Sequence, residues 1–121
     1  MSQRIKVMVA GAAIATLGTT FLAVSPAYAV SCPSGQYCIY PQLNFGGTPV
    51  HYTASTSQLP EPWNDDTFSA INNTSRGLRI YRGSNYGGSH TCIQPHQSIA
   101  DLTFFSVGRW GSSAKLGSSC G

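Results

Sequence analysis

Apolar residues come in short bursts along this chain, and nowhere at the three-and-four spacing of an amphipathic helix. Between stretches dense in Gly, Ser, Thr and Asn lie short runs rich in β-branched and aromatic residues. Strands are expected over 37–40, 49–53, 78–82, 90–94, 102–105 and 112–116. In Leu78-Arg79-Ile80-Tyr81 the apolar Leu78 and Ile80 fall on one side, the alternation of a half-buried strand. Many short strands between close turn signals predict an all-β sandwich or barrel.

One octet pattern occurs twice, matching in kind at five of eight positions: an aromatic, an Asn, a second aromatic and two glycines. Tyr40-Pro-Gln-Leu-Asn44-Phe45-Gly46-Gly47 returns 41 residues later as Tyr81-Arg-Gly-Ser-Asn85-Tyr86-Gly87-Gly88. A fixed period in so short a chain indicates a duplicated unit, too small to bury its apolar face alone. Each copy follows an expected strand. Asn-aromatic-Gly-Gly reads as a turn, with glycine available where φ must be positive. The leading tyrosine can lay its ring over that turn.

Residues 1–29 read differently from the rest. Arg4 and Lys6 precede an apolar stretch from Val7 to Val24, and Ser25-Pro-Ala27-Tyr-Ala29 ends in the pattern of a signal-peptidase site. A secretory signal cut before Val30 is expected in preference to an anchor helix, for which the stretch is about long enough. Residues 30–121 then form one domain, with repeat units over about 36–76 and 77–121, secreted and free of the membrane. Losing Arg4 and Lys6 lowers the formal net charge from +3 to +1. That balance argues against a nucleic-acid partner. Arg76, Arg79 and Arg82, three apart, are expected as solvated charges at a strand edge.

The cysteines are Cys32, Cys38, Cys92 and Cys120. An even count in a small exported chain reads as two disulfides. Of the three connectivities, Cys32–Cys38 with Cys92–Cys120 is preferred, because Pro33-Ser-Gly35 makes a turn between the first pair. No C-x-x-C spacing suggests zinc.

Tyr40-x4-Phe45-x-Gly47 and Tyr81-x4-Tyr86-x-Gly88 resemble the Greek-key signature of the βγ-crystallins. The resemblance implies a sandwich of two four-stranded sheets built from two Greek-key motifs. In that family a later serine folds back onto the hairpin; the candidates are Ser69 and the pair Ser112-Ser113. Cys32-Pro-Ser-Gly35-Gln-Tyr-Cys38-Ile-Tyr40 behind a signal segment, followed by Asn44-Phe45-Gly46-Gly47, is similar to small exported actinobacterial proteins classed with the streptomycete metalloproteinase inhibitors. That likeness implies a crystallin-like fold, two disulfides and peptidase inhibition.

Asp65-Asp66-Thr67-Phe68-Ser69 fits the first five positions of the crystallin calcium motif, which Ala70 then breaks. Calcium wants several hard oxygens. Asp65, Asp66, Thr67 and Ser69 could hold one ion, although the fold requires no cofactor. The alternative is an exposed Asx-turn. The second unit carries Gly108-Arg109-Trp110-Gly111-Ser112-Ser113 in the matching place, without the acids.

His51, His90 and His96 lack an evident partner, Glu61 is the lone glutamate, and no G-x-S-x-G elbow occurs. No enzyme is expected. Trp63 and Trp110 read as hairpin packing or as exposed contacts. Phe104 and Phe105, adjacent on an expected strand, would point to opposite sides. Gln58-Leu59-Pro60-Glu61-Pro62-Trp63 is stiffened by two prolines and reads either as a connector or as an inhibitory loop. Asn72-Asn73-Thr74-Ser75 holds two overlapping glycosylation sequons. The leading expectation is a secreted, monomeric protein that occludes an extracellular protease without turnover, the resemblance pointing to a metalloprotease. The alternatives are a calcium-binding crystallin-type module and an antimicrobial, envelope-binding protein.

Overall fold

The computed structural model describes residues 32–121; the expected signal over 1–29 lies outside the described residues. Seven strands are described: β1 Tyr37–Tyr40, β2 Val50–Tyr52, β3 Ser69–Asn72, β4 Gly77–Gly83, β5 Gly87–Ile93, β6 Gln97–Ile99 and β7 Ser113–Gly117. Three single-turn 3-10 helices, Leu43–Phe45, Ser84–Tyr86 and Leu102–Phe104, complete the elements. All pairing is antiparallel, in two sheets ordered β2-β1-β3-β6 and β5-β4-β7.

The halves exchange their edges. Strand β6, from the second half, closes the first sheet beside β3. In the matching place on the second sheet, residues 54–62 of the first half offer a single bridge, Thr56 to Ala114. Two backbone hydrogen bonds of 2.8 and 2.9 Å make that bridge. The Ser55 hydroxyl extends it by accepting from Leu116 N at 3.0 Å. The expected fourth strand of this sheet is therefore reduced to a strap. Pro60 and Pro62 follow at once, and proline cannot donate to a ladder.

Why the strands fall where they do is visible in their faces. Tyr37 and Ile39 of β1, Ala70 of β3, Leu78 and Ile80 of β4, Ile93 of β5, and Ala114 and Leu116 of β7 all turn inward. With Leu59, Leu102 and Val107 they form the core between the sheets. The other side of β1 is covered too: Cys38, Tyr40 and Ile71 form a second buried cluster with Cys32 and, less deeply, Phe45. Hence β1 is buried on both faces.

The disulfides join Cys32 to Cys38 and Cys92 to Cys120, as expected, with Cα–Cα distances of 5.8 and 5.7 Å. One strand expectation is corrected. Residues 102–105 are not a strand but a 3-10 turn, nucleated by Asp101, whose carboxylate accepts from Thr103 N at 2.9 Å. Aspartate at that position offers the chain a cap that competes with extension. Phe104 and Phe105 consequently both face solvent, 86% and 46% exposed, instead of dividing between two sides. Strands β3 and β6 were not anticipated. Ser69-Ala70-Ile71-Asn72 and Gln97-Ser98-Ile99 carry too few aromatic and β-branched residues to stand out.

Candidate functional site

The two octets fold alike. In each, the chain leaves a strand into a 3-10 turn and enters the left-handed region at consecutive residues: Asn44 and Phe45 at φ 55° and 61°, Asn85 and Tyr86 at φ 55° and 61°. Gly47 and Gly88 follow at φ 79° and 76°. A Cβ on Gly47 would also meet the Pro41 ring at 2.9 Å. An aromatic residue resists a positive φ, so something must hold it. The Ser69 hydroxyl accepts from Phe45 N at 2.9 Å and donates to Gln42 O at 2.7 Å. The Ser113 hydroxyl repeats both bonds, from Tyr86 N at 3.0 Å and to Gly83 O at 2.6 Å. Tyr40 packs edge-on against Phe45 at 5.7 Å, and Tyr81 against Tyr86 at 6.0 Å. Of the two serines offered by the second unit, Ser113 is therefore the latch.

The segment from Gln58 to Trp63 divides into an anchored part and a projecting part. Leu59 lies in the core, its N–H donating to Ser112 O at 2.7 Å, and so cannot enter a partner's cleft. The Gln58 side chain bonds the Ser84 hydroxyl. Trp63 is half-buried, with Nε1 donating to Thr48 O at 2.9 Å and its backbone N–H donating to Pro60 O at 3.0 Å. Beyond it, Asp65 N donates to Gly111 O at 3.0 Å. Pro60, Glu61 and Pro62 remain exposed between these anchors, joined by a cis Glu61–Pro62 bond. The result is a short, stiff prominence beside the seam between the two halves. Trp110, which read from sequence like Trp63, is exposed under the Arg82 guanidinium, 4.8 Å above its ring.

The four residues considered for calcium do not converge. Ser69 is the hairpin latch. The Thr67 hydroxyl accepts from Gly111 N at 2.9 Å. Asp66 is ion-paired with Arg109 at 2.5 Å, and that guanidinium also lies 4.9 Å from the centre of the Phe68 ring. The Asp65 carboxylate comes within 3.5 Å of the Ser112 hydroxyl across the seam, and Asn64 Oδ1 is buried without a partner. One carboxylate beside a guanidinium is a poor match for an ion that wants six to eight oxygens and negative charge. Among the described residues no group of three or more His, Cys, Asp or Glu side chains could hold a metal.

The remaining candidates are structural or exposed. His51, His90 and His96 all lie at the surface. Asn72 is buried, its Nδ2 donating to the carbonyls of Arg76, Ile93 and Gln94, so its sequon is closed. Asn73 Nδ2 donates to Cys32 O. No helix among the described residues is long and apolar enough to cross a membrane.

A model of peptidase inhibitor family I36 matches residues 25–93, more than half of the chain. The chain belongs to peptidase inhibitor family I36. That match runs from just before the first disulfide to the end of β5. The family match makes this I36 member a non-enzymatic protein. Several solved structures share its architecture. A βγ-crystallin domain studied for the evolution of the eye-lens fold is 19% identical with a TM-score of 0.67, over 72% of this chain and 90% of that one. A βγ-crystallin from Ciona intestinalis is 19% identical with a TM-score of 0.61, over 69% and 100%. A βγ-crystallin from an archaeon is 21% identical with a TM-score of 0.59, over 69% and 99%. These likenesses establish a βγ-crystallin-like sandwich. Comparison with curated proteins gives no match.

Proposed function

We propose that this I36 protein is exported, acts as a monomer and inhibits an extracellular protease by rigid occlusion, with the Pro60–Pro62 prominence entering or covering the cleft. The observation that carries the reading is the anchoring of that prominence in a chain of this family. Thr56, Leu59, Trp63 and Asp65 fix its two sides through backbone bonds to Ala114, Ser112, Pro60 and Gly111. A segment already ordered loses little entropy on binding. A protease needs its substrate extended, and a turn closed by the Trp63 to Pro60 bond resists being drawn out. Both disulfides suit an oxidising, extracellular setting.

The test is a titration of the protein against a thermolysin-type and a subtilisin-type protease. Stoichiometric loss of activity in one class is expected. Replacing Pro60-Glu61-Pro62 by Gly-Ser-Gly should weaken that inhibition at least about tenfold while leaving the far-ultraviolet spectrum unchanged. No loss of activity in either class would refute inhibition. Full inhibition by the replaced loop would refute the assignment to this prominence.

A further inference from the structure

The two halves share the octet turn and its serine latch, yet the outer faces of their sheets differ. On the first sheet, Cys38 of β1 lies opposite Ile71 of β3. Both are buried in one cluster with Tyr40 and with Cys32, to which Cys38 is bridged. Shifting Cys38 and Tyr40 by the octet period gives Arg79 and Tyr81 on β4. Aligning the latch serines, Ser69 with Ser113, carries Ile71 onto Lys115 of β7. Arg79 and Lys115 are direct cross-strand partners in the second sheet. Where one half has an apolar pair beside the Cys32–Cys38 bridge, the other has two cations, with the Cys92–Cys120 bridge on the far side of Arg79.

A cavity of ≈ 320 Å³ opens at that place, lined by Arg79, Tyr81, Lys115, Gly117 and Ser118. Like charges directly opposite each other destabilise a sheet, a cost that an anion between them would offset. The acidic side chains lie elsewhere: Glu61, Asp65 and Asp66 around the prominence, Asp101 at the 3-10 cap. Among the described residues Arg109–Asp66 is the ion pair, and neither Arg79 nor Lys115 is paired with a carboxylate. Arg79 is nonetheless held in place. Its Nη1 and Nη2 donate to the carbonyls of Ser118 and Ser119 at 2.8 and 3.2 Å. These acceptors are neutral, and they occupy two of the five N–H groups of a guanidinium. The Lys115 ammonium sits 5.3 Å from the Tyr86 ring, held but still exposed. Two positive charges without a carboxylate partner, one of them held by hydrogen bonds, stand over one cavity with a tyrosine ring in its wall and make a seat for an anion.

We infer that the outer face of the second sheet binds a small anionic ligand, a carboxylate- or phosphate-bearing molecule of about monosaccharide or amino-acid size, between Arg79 and Lys115. The low net charge that argued against nucleic acid does not bear on this seat, because the site depends on two local charges and not on the total. Arg79, expected from its spacing to be a solvated edge charge, is half-buried and fixed.

The experiment is a nuclear magnetic resonance titration of the disulfide-bonded, nitrogen-15-labelled protein. Sodium phosphate and sodium citrate are added separately, each against sodium chloride at equal ionic strength. Saturable shifts are expected at the amides of Arg79, Tyr81, Lys115, Gly117 and Ser118 with at least one of the two anions. Response to phosphate alone, to citrate alone, or to both identifies the group recognised. Lys115→Gln should weaken binding at least about tenfold, Arg79→Lys should retain part of it, and the control Arg76→Gln should leave it unchanged. Spectral dispersion reports whether each variant is folded. Shifts no larger than those caused by chloride, shifts that never saturate, or shifts that persist in Lys115→Gln would overturn the proposal.

Discussion

Tyr37 shows what a single side chain contributes to this small core. Its ring is buried in the first sheet, and its hydroxyl donates to Ala54 O at 2.9 Å, with Thr56 Oγ1 at 3.3 Å. Burial pushes its pKa from 10.0 up to about 12, against the opposing pull of the Thr56 hydroxyl. The sign of the effect on stability follows. Below about pH 10 the folded and unfolded chains both keep the proton. Between about pH 10 and 12 the unfolded chain loses it while the folded chain retains it, so stability falls as pH rises through that window. Urea midpoints measured across this range should decline in the protein and stay flatter in Tyr37→Phe, after a loss of about 1 kcal/mol at neutral pH for the missing hydrogen bond. The absence of free cysteines keeps thiol exchange out of the measurement. Equal slopes for the two proteins would show that Tyr37 does not carry the effect.

The hairpin is the element on which the fold turns, and it was the most legible one. Tyr40, Phe45, Gly47 and their copies at Tyr81, Tyr86 and Gly88 announce a bent turn because aromatic and glycine residues at that spacing have few other uses. The strand Tyr37–Tyr40 could be placed to the residue, and β4, β5 and β7 to within a few. Strand β3 could not, since its pairing depends on Ser69 reaching back 27 residues to Gln42. The expected strand at 102–105 failed because a local cap at Asp101 outweighed two phenylalanines. Removing either latch tests the hairpin directly. Ser69→Ala leaves the Phe45 N–H and the Gln42 carbonyl without their partner, and Ser113→Ala does the same to Tyr86 and Gly83. Each should lower the free energy of unfolding by about 1–3 kcal/mol in urea titrations. A loss below about 0.5 kcal/mol in both would mean that the aromatic and glycine residues hold the turn unaided.

The whole molecule is tied at its far end by Cys92–Cys120, which closes a loop of sequence separation 28. In the chain-entropy description, replacing both cysteines with alanine should lower stability by about 3–4 kcal/mol. Equilibrium unfolding of that variant measures it, and a drop under about 1 kcal/mol would contradict the entropic account. At this scale less of the candidate site was legible. Pro60 and Pro62 marked a stiff segment, but the inward turn of Leu59 depends on Ser112, more than fifty residues away. The Arg79–Lys115 pair was within reach of the repeat: the octet period leads from Cys38 to Arg79, but Lys115 needs the serine register, which only the folded hairpins define. The traded edges, β6 in one direction and the Thr56 strap in the other, bind the halves unequally. Two identical repeats meeting as a homodimer would make equal edges, whereas here one edge pairs over three residues and the other over a single bridge. The short connection between Asn72 and Gly77 serves as a tether that raises the effective concentration of one half for the other, so the weaker edge need contribute only one bridge for the halves to stay joined.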